Sequence, residues 1–344
     1  MTQRQGSGRL LRKAPSMTET LPDLLNRAND RRAPLRARLA QENTDGWRLF
    51  HGTVEGRSGL TIDRYGSLVL AQTFHEPLSE LELSTLVESF GDNLVYNHRG
   101  DRRTRFTRHT PHPKSLEPTV TTELGLKYSI LARHRGLDPH LFLDLRVGRR
   151  WLRDNADGCR VLNLFAYSCG MGQVAASFGA REIWNVDFSG SSLRVGERNL
   201  TLNDPPKCEV RFVKQDAYPV VWQLSGMGVK GKRARKPHKK FETREFDLVL
   251  LDPPAKAKGP FHSVDLVNDY QSLFKPSLLC LAEGGTILAT NNVAAVSKDE
   301  FESVLVRCAE KAGRPLQELD WLTPDEDFPS FDGEYPLKIA LGKV

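Results

Sequence analysis

The chain has 344 residues, 39% of them apolar and 27% charged, which supports a packed core in one large domain or two modest ones. Five cysteines (Cys159, Cys169, Cys208, Cys280 and Cys308) form no CxxC pair; this argues against a disulfide or zinc framework, and no metal is expected. No run approaches the roughly 18 consecutive apolar residues of a membrane span, and MTQRQGSGRLLRKAPSM at the N-terminus lacks an apolar core of signal-peptide length. The expected setting is therefore the cytoplasm, with no membrane partner. The formal net charge is +6, yet residues 1–40 hold nine Lys/Arg against three acids, and residues 229–240 (VKGKRARKPHKK) hold seven Lys/Arg and no acid. The rest of the chain is net acidic. Such segregation suits contact with a polyanion, the bland alternative being a solvated tail and a surface loop.

Residues 1–45 are polar and Arg-rich, with one helix-like piece around Leu21 to Ala40, and read as a basic extension with partial order. Residues 46–118 read as a small α/β unit. GLTIDRYGSLVLAQTF (59–74) gives two strands split by a turn at Tyr65-Gly66, LSELELSTLVESF (78–90) has helical apolar spacing, and LVYNHRG follows as another strand. Then comes HRGDRRTRFTRHTPH (98–112), with five Arg, three His and one acid. TVTTELGLKYSILAR (119–133) alternates around Gly125 and predicts a hairpin.

From there the pattern changes. CRVLNLF, EIWNVDF, CEVRFVKQDA, FDLVLLD and GGTILAT alternate with the helix-like MGQVAASFG, SSLRVGERNLTLN, VNDYQSLFKPSLLCLAEG and KDEFESVLVRCAEKAG. This predicts an α/β fold with a doubly wound parallel sheet and helices on both faces. Ligands of such sheets bind outside the carboxyl ends of the strands. The first strand runs into AYSCGMG (166–172), whose two glycines would allow a sharp turn and close approach of the backbone. The next three strands end at Asp187, Asp216 and Asp252. One such acid is more often a cap than a ligand contact, but the joint pattern reads as a nucleoside site. It lacks a GxGxxG or Walker phosphate cradle, which suits S-adenosylmethionine better than NAD or ATP.

VLNLFAYSCGMGQVAA, WNVDFSGSSLRVGERNLTLN and FDLVLLDPP resemble the class I S-adenosylmethionine-dependent methyltransferases. More narrowly they are similar to the bacterial large-subunit ribosomal RNA methyltransferases that include the type I cytosine-C5 enzyme and the guanine-N7 half of the fused K/L enzyme. GWRLFHGTVEGRSGLTIDRYG is similar to that family's small central domain, GLDPHLFLDLRVGRRWL stands where the family carries GFFLDQR, and EYPLKIAL resembles its C-terminal strand. The likeness covers residues 46–344 and implies a Rossmann-like methyltransferase domain over 119–344, with a hairpin at 119–133 and a basic loop at 225–243. The small unit at 46–118 would recognise RNA. Residues 1–45 are too short for the N-terminal RNA-binding module of the cytosine enzyme.

The resemblance places the methionine end of the cofactor near Phe165, Ala166, Tyr167, Ser168 and Gly170, the ribose on Asp187 beside Phe188, and the adenine amino group on Asp216 beside Ala217. Asp144 and Arg146 take the family's D-x-R positions at the cofactor pocket, and Asp252 borders it. Cys169 stands where glycine is usual, tolerable only with φ below zero. Cytosine C5 requires a cysteine thiolate that adds to the ring. Here GGTILAT is followed by Asn291-Asn292-Val293; Cys280 sits in apolar LLCLAEGG as a core thiol, and Cys169 sits on the cofactor side. Direct transfer to a guanine nitrogen, N2 or N7, is the resulting expectation, with Asp252, Pro253, Pro254 and Asn291 as catalytic candidates. The asparagine would fix the purine edge, or else cap its loop. The motif's usual stacking aromatic is replaced by Ala255-Lys256, leaving Phe261 to stack on the base unless the base is held otherwise. Ribosomal RNA is the expected partner, met by Lys230, Lys232, Arg233, Arg235, Lys236, Lys239 and Lys240 together with Arg102, Arg103 and Arg105. The alternatives are a cytosine-C5 enzyme, a ribosomal-protein methyltransferase and a non-catalytic RNA-binding assembly factor.

Overall fold

A computed structural model describes residues 19–100, 108–109, 117–133 and 138–344. The single helical piece expected near the N-terminus is two helices, α1 (Leu21–Arg31) and α2 (Ala33–Gln41). Pro34 explains the break: it lacks an N–H for the preceding turn and is tolerated only in the first turn of a new helix. These helices are not an appendage. Leu24 and Ala28 of α1 share a core with Phe50, Leu60, Ile62, Leu86 and Leu94 of the small unit. That unit is a five-stranded sheet in the order β1 (Gly46–His51), β2 (Leu60–Tyr65), β3 (Leu68–Thr73), β4 (Leu94–His98) and β5 (Arg108–His109). Helix α3 (Glu80–Phe90) starts with a capping box in which Ser79 accepts from the Glu82 N–H.

The hairpin β6 (Thr119–Glu123) and β7 (Leu126–Ile130) turns through Leu124 and Gly125, both at positive φ. Such turns match the right-handed twist of the flanking strands. Next come α4 (Arg146–Asn155), β8 (Arg160–Leu164), α5 (Gly170–Ser177), β9 (Glu182–Asp187), α6 (Gly190–Thr201), β10 (Glu209–Lys214), α7 (Ala217–Leu224) and β11 (Phe246–Leu251). A short hairpin, β12 (Lys256–Lys258) with β13 (Ser263–Asp265), precedes α8 (Gln271–Leu278), β14 (Leu281–Asn291), α9 (Lys298–Ala312), β15 (Glu318–Leu322) and β16 (Lys338–Lys343). The seven-stranded sheet has the order β10-β9-β8-β11-β14-β16-β15, parallel except where β16 pairs antiparallel with both neighbours. The strand order reverses between β8 and β11, so the loops after these strands diverge and leave a crevice. Separate apolar cores cover the two faces.

The helix expected to run to Gly284 ends at Leu278, and Leu281 already belongs to β14. Pro276 lacks an N–H for the turn before it and weakens the helix there, and pairing of Phe246 with Leu281 claims the following residues for β14. Among the described residues no helix is long and apolar enough to cross a membrane.

Ion pairs around α4 anchor the hydrogen bonds that join the small unit to the large sheet. Arg146 of α4, with no exposed surface, donates to Asp325 (2.9 Å), Asp327 (3.1 Å) and the Gly46 carbonyl (2.9 Å). Arg150 reaches Glu42 and Asp325, and Arg149 reaches Glu123. Asp327 also accepts from the Arg48 N–H at 2.9 Å. Each charge in this set has an opposite partner, without which burying it would cost several kcal/mol.

Candidate active site

The loop after β8 fixes the floor of the crevice. Phe165, Tyr167 and Cys169 all take positive φ (59°, 49° and 63°), so the condition set for Cys169 is not met. The left-handed backbone is held by the Ala166 N–H on the Val186 carbonyl (3.0 Å), the Tyr167 N–H on Asp187 (2.9 Å) and the Cys169 N–H on the Ala166 carbonyl (2.7 Å). Strained non-glycine residues persist when their surroundings over-determine them. The Cys169 side chain is buried against Gly196 of α6, where an added Cβ would lie 2.5 Å from its sulfur. The glycines of the loop do not make its sharp turn, contrary to expectation. Gly170 opens α5 at ordinary φ, and Gly172 packs so tightly that a Cβ would meet Asn185 Oδ1 at 2.1 Å.

Beyond this loop lies a cleft lined by Phe165, Asp187, Phe188, Asp216, Ala217 and the β12–β13 hairpin. Asp187 ends β9 with one oxygen on the Tyr167 N–H and the other on the Ser189 N–H (2.7 Å). Asp216 caps α7 through the Tyr218 N–H (3.0 Å) and accepts from the Phe261 N–H (3.2 Å). Burial raises the pKa of each acid, and the two backbone donors on each oppose the shift. Phe188 stays 54% exposed at the rim. Among the described residues no Lys or Arg lines this cleft. Two anchored carboxylates and aromatic walls fit a nucleoside offering hydroxyl and amino donors, and repel a polyphosphate. S-adenosylmethionine fits that description.

Residues 138–145 cross the loop after β8. The Tyr167 hydroxyl donates to the Asp138 carbonyl (3.0 Å), Ser168 Oγ donates to the His140 carbonyl, and the Phe142 ring lies 5.7 Å from that of Tyr167. Asp144 follows; burial raises its pKa while Arg48 and Arg149 oppose. Arg146, expected at the cofactor pocket, presents no surface to a ligand because its guanidinium is consumed by Asp325, Asp327 and the Gly46 carbonyl. Asp252 sits half-buried at the end of β11, accepting from Thr290 Oγ1. Burial pushes its pKa up to about 6, with Asp144 adding and Thr290 and Arg149 opposing.

Pro253 is buried and Pro254 exposed. Asn291, expected to fix the base, is 1% exposed. Its Oδ1 accepts from the Val293 N–H (3.0 Å), and its Nδ2 donates to the Leu266 carbonyl (3.3 Å). The loop-capping alternative is the one the geometry favours, since both ends of the amide are spent within the chain. Phe261 is not offered to a base either. It is 6% exposed, in the core with Leu266 and Val264, its ring edge-on to His238. Cys280 is fully buried with its thiol pKa raised by burial, as expected of a core thiol.

Lys230, Lys232, Arg233, Arg235, Lys236, Lys239 and Lys240 are all exposed. Two of them also turn inward: Arg233 lies 3.1 Å from His262 Nδ1, and Lys236 donates to the Pro260 carbonyl. The basic loop thereby leans on the β12–β13 hairpin, whose Phe261 N–H touches Asp216. Arg102, Arg103 and Arg105 lie outside the described residues. Thr290 and Arg149, which bear on the charge state of Asp252, lie in segments that the sequence itself marks, GGTILAT and GLDPHLFLDLRVGRRWL, but are not among the candidate site residues read from it. The position of Thr290, next to last in its strand and just before the paired asparagines, is the signal that could have found it. Among the described residues no cluster of three His, Cys, Asp or Glu side chains is placed to hold a metal ion.

The family model for S-adenosylmethionine-dependent methyltransferases matches residues 48–342. The chain is 30% identical to the ribosomal RNA large subunit methyltransferase of Deinococcus radiodurans, over 92% of this chain and 77% of that protein. It is 27% identical to the ribosomal RNA large subunit methyltransferase I of Aeromonas salmonicida, over 89% and 74%. Among solved structures, SMU.776 in complex with SAH superposes with a TM-score of 0.75 at 24% identity, covering 93% of this chain and 80% of that one. The tRNA m1G37 methyltransferase of M. jannaschii superposes at 0.52 and 14% identity, over 83% and 75%. At these identities the two structures show a shared fold.

Proposed function

The chain belongs to the S-adenosylmethionine-dependent methyltransferases, and from that premise we propose that it methylates a guanine nitrogen, N2 or N7, of large-subunit ribosomal RNA in the cytoplasm. The names of its relatives support the substrate class. The choice of atom rests on one observation: the loop after β14 offers Asn291-Asn292-Val293 where a cytosine enzyme needs a thiolate. Cys169 and Cys280 are buried with raised thiol pKa values, and a protonated thiol is a weak nucleophile.

Asp187 would accept from the ribose hydroxyls and Asp216 from the adenine amino group, while residues 165–170 hold the methionine end. The bound cofactor supplies an electrophilic methyl group on a sulfonium. Asp252, held by Thr290 and mostly ionised at neutral pH, accepts an N–H of the guanine and turns the reacting nitrogen toward that methyl. Methylation at N2 displaces a proton that Asp252 takes up, whereas at N7 the base keeps the positive charge. Pro253 and Pro254 restrict the backbone that carries it. Transfer from sulfonium to nitrogen creates little new charge, so alignment is the main task, and pre-paid orientation can supply roughly 7–11 kcal/mol in the best cases. The nucleotide must leave its stack to reach Asp252. Asn291 is a positioning residue that ties Leu266, beyond the hairpin, to the end of β14.

The cytosine-C5 reading is the second, favoured by relatives that carry the type I name. A strain lacking the gene, its ribosomal RNA compared with the parent by mass spectrometry, decides. Loss of one methylguanine is expected; loss of a methylcytosine overturns the argument from the missing thiol.

A further inference from the structure

We propose that Phe142 is the platform on which the target base stacks, a role that rests on the ribosomal RNA reading above. The Asp-Pro-Pro motif is followed by Ala255, and Phe261 is buried in the core. Neither residue after the motif thus gives a flipped base an aromatic face on the β11 side of the crevice. The segment packed on the loop after β8 provides one. Leu141 and Leu143 are 2% and 3% exposed, whereas Phe142 between them is 38% exposed, so the alternation turns an aromatic ring outward that burial would otherwise claim.

Its position follows from its neighbours. Four residues before it the chain is fixed to the Tyr167 hydroxyl, and its own ring tilts against Tyr167 at 41°. Its carbonyl accepts from Arg149 at 2.8 Å. β8 and β11 pair with Leu164 opposite Leu251, so Asp252 leaves the sheet beside Phe165, the first residue of the loop on which Phe142 packs. Phe142 thus stands on the loop assigned to the methionine end, which begins beside the acid assigned to the base. Phe188, the other exposed ring beside this loop, belongs to the cleft at the far side of Asp187. A ring braced against a tyrosine offers a stiff face, and every base has a π-face to lay on it.

The test uses the full chain, large-subunit ribosomal RNA from the strain lacking the gene, and S-adenosylmethionine with a labelled methyl group. Phe142→Ala and Phe142→Leu are expected to lower kcat/KM for RNA about tenfold to a hundredfold, the size of one lost base–aromatic stack. Phe142→Tyr should stay within about threefold of the parent. Calorimetric affinity for S-adenosylmethionine should stay within about twofold in all three, which also shows that they fold. A leucine variant as active as the parent overturns the stacking role, and so does a loss of cofactor affinity that matches the loss of rate. Failure of the parent protein to methylate that RNA overturns the ribosomal reading, and this proposal with it.

Discussion

The basic loop separates into cations that hold the fold and cations that face outward, and this makes a quantitative perturbation possible. Arg233 and Lys236 contact His262 and Pro260 of the hairpin over Asp216. Removing the whole loop would therefore disturb the cleft at Asp216 as well as any RNA contact. The informative variant changes Lys230, Lys232, Arg235, Lys239 and Lys240 to glutamine and leaves the inward pair intact. Each phosphate neutralised by the loop releases counterions and contributes roughly 0.7–0.9 to the slope of log affinity against log salt. If all five side chains pair with phosphates, their neutralisation should flatten that slope by about 3.5–4.5. The assay is fluorescence anisotropy with a ribosomal RNA fragment over a series of KCl concentrations, beside calorimetry with S-adenosylmethionine. An unchanged cofactor affinity with a flatter slope is the expected result. A slope change smaller than that of about one phosphate, roughly 0.7–0.9, would mean that these side chains are merely solvated, and the charge segregation would lose its functional reading.

Two further perturbations separate structural from chemical roles. Arg146→Met should lower stability by about 3 kcal/mol, the lower end for a broken buried pair, because Glu123 keeps Arg149 and Asp327 keeps the Arg48 N–H. Urea unfolding measures this, and a folded variant with weakened cofactor binding but parental stability would restore the family-based role of Arg146. Asp252 has a folded pKa of about 6, above the 3.8 of an ordinary aspartate. Its ionisation therefore costs the folded state nothing below pH 3.8, a growing amount between 3.8 and 6, and up to about 3 kcal/mol above that. Asp252→Asn should then be more stable than the parent at a pH of about 7.5 and equal at about 4, by thermal unfolding. The parent's kcat/KM for RNA should fall as pH drops through about 6, or lower where the sulfonium draws the midpoint down. A flat profile between about pH 5 and 8 would show that the ionised acceptor is not required.

Much of the architecture was readable because parallel strands buried on both faces must be continuous in aliphatic residues. Val161–Leu164 and Phe246–Leu251 announce themselves in this way, and the acids that end β9, β10 and β11 mark the face where the crevice opens. What escaped has particular causes. The break at Arg32 depends on Pro34 within an otherwise helical pattern. The early start of β14 depends on pairing with β11, a tertiary demand that overrides the helical spacing of LLCLAEG. The β12–β13 hairpin is only three residues a side, too short to leave a periodicity.

The candidate site shows a sharper limit. Asp187, Asp216, Arg146, Asp252 and Asn291 all read as polar residues at the mouth of a sheet, and a sequence cannot tell a side chain that faces a cleft from one that faces a neighbouring unit. The arrangement of partners makes the distinction. Arg146 and Asn291 are satisfied by groups of the chain itself and have no surface left for a ligand. Asp187 and Asp216 each rest on two backbone N–H groups, which fix their oxygens as rigid acceptors at the wall of a cleft. Asp252 differs from both. A hydroxyl holds it in place of backbone donors, and burial and a neighbouring carboxylate lift its pKa toward neutrality. Rigid acceptors suit a cofactor that binds in one pose. An acid held by one hydroxyl and still mostly ionised at neutral pH suits the proposed receipt of a base's N–H, which is why the chemistry is proposed to rest on Asp252.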